Sequence, residues 1–403
     1  MRTGVLLTML WTSLGSIGAA APAAAQITND VVKIGVLNDQ SGPASDVTGV
    51  GSAIAARLAI ADFGAAAAGA RIELVVADHQ NKTDLASTIA RRWFDAEQVD
   101  LIIDLGNSSV SLAVQSLARE RKKVVIHSSG SDRLYGADCI PTGFQWVYDT
   151  YSIARAVGLS SLGGRGSSWY ILAADYAFGH AMLSQLKAVV EGEGGKVVGS
   201  ALHPIYTPDL SSFILQAQTS QAKVVALANA GPDTINSIKQ AAEFGLVQGG
   251  QKLAATTFFI QNVHSLGLSV AQGLQLVTAF YWDRTEATRD FARRFFAEAG
   301  KMPSQNQAGM YSAVLAYLRA VEAAKTDAGD AVAAKLKELP VDDFYAEGAR
   351  VRADGRLMND QFLARVKAPS ESKAAWDYYD IQQRIDAAGI LRPLAEGGCK
   401  LDQ

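Results

Sequence analysis

Residues 31–60 read VVKIGVLNDQSGPASDVTGVGSAIAARLAI. The run 31–37 is β-branched and apolar, so it reads as a strand. A loop over 38–48 follows, with Ser41-Gly42-Pro43 as its turn signal. From Gly51 onward Ile54, Leu58 and Ala61 recur at helical spacing, which predicts a helix over 51–63. One strand, one loop and one helix make half of a βαβ unit, and the pattern repeats. Strands are expected at 71–78, 99–105 and 123–127, with helices at 85–97 and 109–120. Apolar strands that alternate with helices imply a parallel sheet covered on both faces.

The alternation breaks over 132–143, which holds Gly136, Cys139, Pro141 and Gly143. Residues 144–148 look extended, and then the pattern restarts. Strands are expected at 169–174, 197–202, 224–228, 253–259 and 274–282. Helices are expected at 179–191, 210–219 and 233–244. The chain is thus an α/β protein of two successive units, without an internal sequence repeat. Helical patterns then cover 285–299, 308–324 and 331–339. The turn signal Asp354-Gly355 marks a hairpin over 350–362. The end of the chain, 391–403, reads as irregular.

The chain has 403 residues and a net charge of -3; 49% of its residues are hydrophobic and 19% charged. That balance supports packed cores and argues against nucleic acid as the main partner. Residues 1–25 combine Arg2, an apolar run over 5–17 and the ending Ala23-Ala24-Ala25, the pattern of a secretory signal peptide. Cleavage is expected after Ala25, which takes the net charge to -4 by loss of Arg2. The apolar run is interrupted by Thr8, Thr12, Ser13, Gly15 and Ser16, so it is a poor span for a ~30 Å hydrocarbon core. Export makes a disulfide feasible, and Cys139 and Cys399 are the two cysteines. Free buried thiols are the other reading. Their separation excludes a zinc ribbon or a Cys-x-x-Cys redox site.

In open parallel sheets ligands bind beyond the carboxyl ends of strands. That rule selects Gly106-Asn107-Ser108-Ser109 and Ser128-Ser129-Gly130-Ser131-Asp132 in the first unit. In the second it selects the loop from Asp175 through Tyr176 and Phe178 to Gly179, and Asn229-Ala230-Gly231-Pro232. The serine loops suit an anion, through hydroxyls and the N–H groups at a helix start. Ordinary helix capping explains the same residues. Tyr176, Phe178 and Tyr281-Trp282 offer apolar walls with polar tips, though core packing is the commoner role of an aromatic. The mature chain lacks Gly-x-Ser-x-Gly, His-Glu-x-x-His, Walker and Gly-x-Gly-x-x-Gly patterns. His79, His127, His180, His203 and His264 have no ligand spacing. No metal, cofactor or catalytic residue is expected.

These residues carry a resemblance. The 31–60 stretch, DYAFGHAMLSQL, LANAGPDTINSIKQAAEFGL, AFYWDRTEATRDFARRF, WDYYDI and GGCKL resemble, in order and spacing, the branched-chain amino-acid type of periplasmic substrate-binding protein. The likeness covers nearly the whole mature chain. It implies the type I periplasmic-binding-protein fold: two Rossmann-like lobes with parallel sheets, joined by a three-crossover hinge. The implied lobes are 27–148 with 283–346, and 149–282 with 347–385, and the tail 386–403 returns to the hinge. A Cys139–Cys399 bridge would pin that tail beside the first crossing.

The resemblance also implies a ligand carboxylate held by Ser108 or Ser109 with Ser129 and Ser131, against Tyr176 and Phe178 from the second lobe. Asn229, Phe259 and Tyr281 complete the expected ligand set. Amino-acid binders of this type hold the ammonium with an acid after the strand that ends here at Phe258-Phe259. This chain has Ile260-Gln261-Asn262 there, without a carboxylate, and a buried ammonium without an anion is costly. Asp175 or Asp283 are the candidate substitutes. An aromatic or other organic acid is therefore expected at least as much as an amino acid. The implied role is that of a non-enzymatic, monomeric periplasmic receptor serving the permease and ATPase subunits of an ABC importer. The competing reading of another class is a secreted α/β enzyme.

Overall fold

The computed structural model describes residues 26–159 and 166–401. The expected signal segment, its cleavage point and the last two residues of the tail lie outside these. Six strands form the first sheet: β1 (Val31–Asn38), β2 (Ala66–Ala67), β3 (Ala70–Asp78), β4 (Leu101–Asp104), β5 (Val124–His127) and β6 (Gly143–Gln145). Their order is β2-β3-β1-β4-β5-β6, and every pairing except β2 with β3 is parallel. β4 and β5 are buried along their whole length, as strands covered on both faces should be. Gly35 lies in β1 because Trp93, from the helix Thr83–Asp95, crosses it. A Cβ there would stand 2.4 Å from the indole.

The second lobe has four parallel strands in the order β10-β9-β7-β8: β7 (Ser168–Ala174), β8 (Lys196–His203), β9 (Val224–Ala228) and β10 (Lys252–Ala255). The expected strand over 253–259 stops at Ala255, and Phe259 instead caps the helix Ile260–Leu266. A separate antiparallel sheet completes this lobe: β11 (Gln275–Thr278), β12 (Gln361–Val366) and β13 (Tyr379–Ile385). Its last two strands were not legible in the sequence. Among the described residues no helix is long and apolar enough to cross a membrane.

The chain passes between the lobes three times. After β6 the helix Thr150–Gly158 packs on the helix Ala177–Gly192 of the second lobe. After β11 the helices Glu286–Ala299 and Gln305–Ala324 return to pack on Gly49–Phe63 of the first. The hairpin around Asp354-Gly355 stays on the edge of the first sheet. There the Gln145 N–H donates to the Gly355 carbonyl at 2.9 Å, and the Leu357 N–H to the Gln145 carbonyl at 3.0 Å. The third passage therefore follows Leu357, later than the 346–347 expected from the sequence. Cys139 and Cys399 are bridged, with Cα atoms 5.6 Å apart.

Candidate functional site

The two serine loops meet at the carboxyl ends of β4 and β5. Asn107 caps the helix Ser108–Arg121, and its Oδ1 accepts from the Ser109 N–H at 2.8 Å and the Val110 N–H at 3.2 Å. Capping thus accounts for part of the helix-start donors. The Ser131 N–H donates to Ser108 Oγ at 3.1 Å, which leaves the Ser108 hydroxyl proton free to donate elsewhere. Ser131 Oγ is buried without a hydrogen-bond partner. Ser129 Oγ bonds Ser111 Oγ at 2.7 Å, and Ser109 Oγ accepts from the Ala177 N–H of the other lobe at 3.4 Å.

Asp104 supports this layer from below. It is fully buried, accepts from Asn38 Nδ2 at 2.6 Å and from the Ser128 hydroxyl, and has φ 80°. Burial holds its carboxyl above the ordinary value, against the hydroxyl and amide donors. The folded state therefore binds this proton more tightly than the unfolded chain does. Its contribution is full below the unfolded pKa of about 4 and is lost as pH rises through the folded pKa. Asp104→Asn should remove that loss. Denaturant midpoints should then show the variant gaining on the parent as pH rises from about 4 to 7. A difference between the two that stays flat with pH would refute this.

Aromatic rings close the cleft over the serines. Tyr176 and Phe178 sit at the start of the helix Ala177–Gly192, with ring centroids 5.9 Å apart. Gly130 has room for no side chain, since a Cβ there would stand 2.5 Å from the Tyr148 ring and 2.9 Å from Phe178. Tyr148 in turn lies 5.9 Å from the Phe259 ring. These rings, with Tyr206, wall a cavity of about 640 Å³, open mouth included. Its polar lining includes Thr48, Asn81, Asn107, Ser108, Asn306 and Asp233, and no Lys or Arg lines it among the described residues. Burial pushes the Tyr148, Tyr176 and Tyr206 hydroxyls above their ordinary values, so they stay neutral.

Of the residues expected from sequence, Ser108, Tyr176, Phe178 and Phe259 line this cavity. Ser109, Ser129 and Ser131 do not line it: Ser129 and Ser131 are buried in the hydrogen-bond layer, and Ser109 faces Ala177 of the second lobe. Asn229 does not line it: fully buried, it bonds Ser237 Oγ at 3.0 Å, His203 Nε2 at 3.2 Å and the Thr234 hydroxyl at 2.9 Å. Its neighbours Ala230, Gly231 and Pro232 face the cavity instead. The expected strand over 274–282 ends at Thr278, and Tyr281, three residues beyond it, lies against the antiparallel sheet, 5.1 Å from the Tyr379 ring. Neither candidate substitute acid lines the cavity. Asp175 bonds His180 at 2.7 Å and Asp283 pairs with Arg289 at 3.1 Å, all at the surface.

Sequence reasoning missed Tyr206 and Asp233. Tyr206 follows β8 and adopts φ 59°, a conformation that few non-glycine residues take and that local sequence does not announce. Asp233 stands one residue past the selected loop, where a helix starting at Pro232 favours an acid.

The chain matches the periplasmic binding protein family over residues 31–374. None of the curated proteins matches it significantly. Among solved structures, a periplasmic binding protein from Burkholderia mallei is 44% identical. It superposes with a TM-score of 0.90 over 93% of this chain and 100% of that one. A branched chain amino acid ABC transporter periplasmic ligand-binding protein from Burkholderia xenovorans is 39% identical, with a TM-score of 0.82 over 92% and 100%. An R. palustris ABC transporter solute binding protein in complex with benzoate is 19% identical, with a TM-score of 0.79 over 92% and 100%, a likeness of fold. The family match, the two lobes and the cleft between them agree: this chain belongs to the periplasmic binding protein family.

Proposed function

We propose that the chain is the extracytoplasmic solute receptor of an ABC importer. It binds a small carboxylate-bearing ligand between its lobes and hands it to the permease. One observation carries this reading. The Ser108 hydroxyl of the first lobe, free to donate, lines the same cavity as the Tyr176 and Phe178 rings of the second, and the unpartnered Ser131 hydroxyl belongs to the residue whose N–H donates to it. Hydroxyl donors hold a carboxylate without a cation, and the rings cover an apolar or aromatic body. Contacts from both lobes favour the closed state, so ligand binding drives hinge closure. The benzoate complex of the R. palustris protein fits an aromatic acid on this fold. The name of the B. xenovorans relative favours a second reading, a branched-chain or other amino acid. In this role the protein works as a periplasmic monomer, freed of residues 1–25, beside permease and ATPase subunits and without catalysis of its own.

Ser131 tests the reading. Its buried hydroxyl has no hydrogen-bond partner within the protein, so Ser131→Ala should leave the melting temperature unchanged or raise it. The same variant should weaken carboxylate binding by about 1.5–3 kcal/mol in calorimetry. Equal affinity of variant and parent would remove Ser131 from the site. Turnover of a bound acid to a product would favour the enzyme reading instead.

A further inference from the structure

Asp233 has only 2% of its surface exposed, yet it lines the cavity. It is the second residue of the helix Pro232–Glu243, on the second-lobe side. One carboxyl oxygen is in use: Oδ2 accepts from the Tyr206 N–H at 3.0 Å. The other, Oδ1, is buried and has no hydrogen-bond partner. The same bond anchors Tyr206, whose ring walls the cavity. The first lobe thus offers donors to the ligand, while the second offers an acceptor. Asn262, in the first turn of the helix Ile260–Leu266, uses its Oδ1 to accept from the Phe259 N–H at 2.8 Å.

We propose that Asp233 accepts a hydrogen bond from the ligand, so that the natural ligand carries a hydroxyl or ammonium donor as well as its carboxylate. This rests on reading the cavity as a carboxylate site. An acid without a donor would leave the buried Oδ1 with no partner. A site with a buried polar group discriminates strongly against such an analogue.

Two matched pairs test the idea on the full mature chain: 4-hydroxybenzoate against benzoate, and leucine against 4-methylpentanoate. Calorimetry should show the donor-bearing member of at least one pair bound more tightly, by at least about tenfold. Asp233→Ala should abolish that preference. Asp233→Asn keeps an acceptor for the Tyr206 N–H and separates the two donors. With an ammonium ligand it should lose at least about tenfold, and with a hydroxyl ligand less than about threefold. Binding of the acids with no preference in either pair overturns this inference alone, as does a preference that survives in Asp233→Ala. Failure of all four compounds to bind overturns the carboxylate reading and this inference together.

Discussion

Arg356→Met is expected to destabilise the protein by about 3–5 kcal/mol, the cost of leaving a buried partner charge uncompensated. Arg356 and Asp149 are both 0% exposed, with Nε and Oδ2 3.0 Å apart. The remaining guanidinium N–H groups donate to backbone carbonyls, of Gln145 at 3.2 Å, Leu357 at 2.9 Å and Val147 at 3.4 Å. Asp149 uses its other oxygen to cap the helix Thr150–Gly158, accepting from the Ser152 N–H at 2.8 Å. One side chain therefore ties the first interlobe passage to the hairpin that precedes the third. Methionine would fill most of the volume but strand the Asp149 charge and the carbonyls of Leu357 and Val147, while the Gln145 carbonyl keeps the Leu357 N–H. Arg356→Lys should recover little, since a point charge cannot replace the planar fork. The double variant Arg356→Met/Asp149→Ser removes the charge and keeps a capping hydroxyl, so it should be more stable than Arg356→Met alone. Urea melts measure all three, and a loss below about 1 kcal/mol for Arg356→Met would show that the pair is not a structural rivet.

That rivet was invisible in the sequence, and the contrast with the serine loops is physical. Ser108 and Ser131 follow apolar runs in a strand-loop-helix pattern, so the carboxyl-end rule reaches them from periodicity alone. Tyr176 and Phe178 were legible for the same reason. Arg356 sits in a short hairpin with polar neighbours, and nothing local says that the first passage will bury it. Asp233 was hidden by a boundary of one residue. Tyr281 misled because a strand-ending aromatic reads the same in either sheet. Only pairing with β12 decides that β11, the strand that precedes it, belongs to the antiparallel sheet. β12 and β13 themselves are joined by a connection over 367–378, too long for a hairpin turn signal to register. Periodicity thus finds elements and their loops, whereas long-range burial and sheet membership depend on partners far along the chain.

The tail makes the second large prediction. Reduction of the Cys139–Cys399 bridge should lower the melting temperature by up to about 6 °C. The bridge closes a loop across a sequence separation of 260, worth about 5 kcal/mol at most in loop entropy. It is the last of three attachments. The helix Ala387–Ile390 packs on Thr150–Gly158 in the second lobe. Arg392 then reaches the first lobe, where its Nη1 donates to Asp132 Oδ2 and its Nη2 to the Asp132 carbonyl, each at 2.9 Å. Asp132 follows Ser131 in the second serine loop and also accepts from Gln185 of the second lobe at 2.7 Å. The bridge therefore fixes a strap that spans both lobes beside the second serine loop. Arg392 and Asp132 would still pair in the reduced protein, so the native fold should persist with a lower melting point. The double variant Cys139→Ser/Cys399→Ser should reproduce the shift without reductant. Melting curves that coincide with and without reductant, with thiol titration confirming reduction, would mean that the Arg392 contact alone holds the strap.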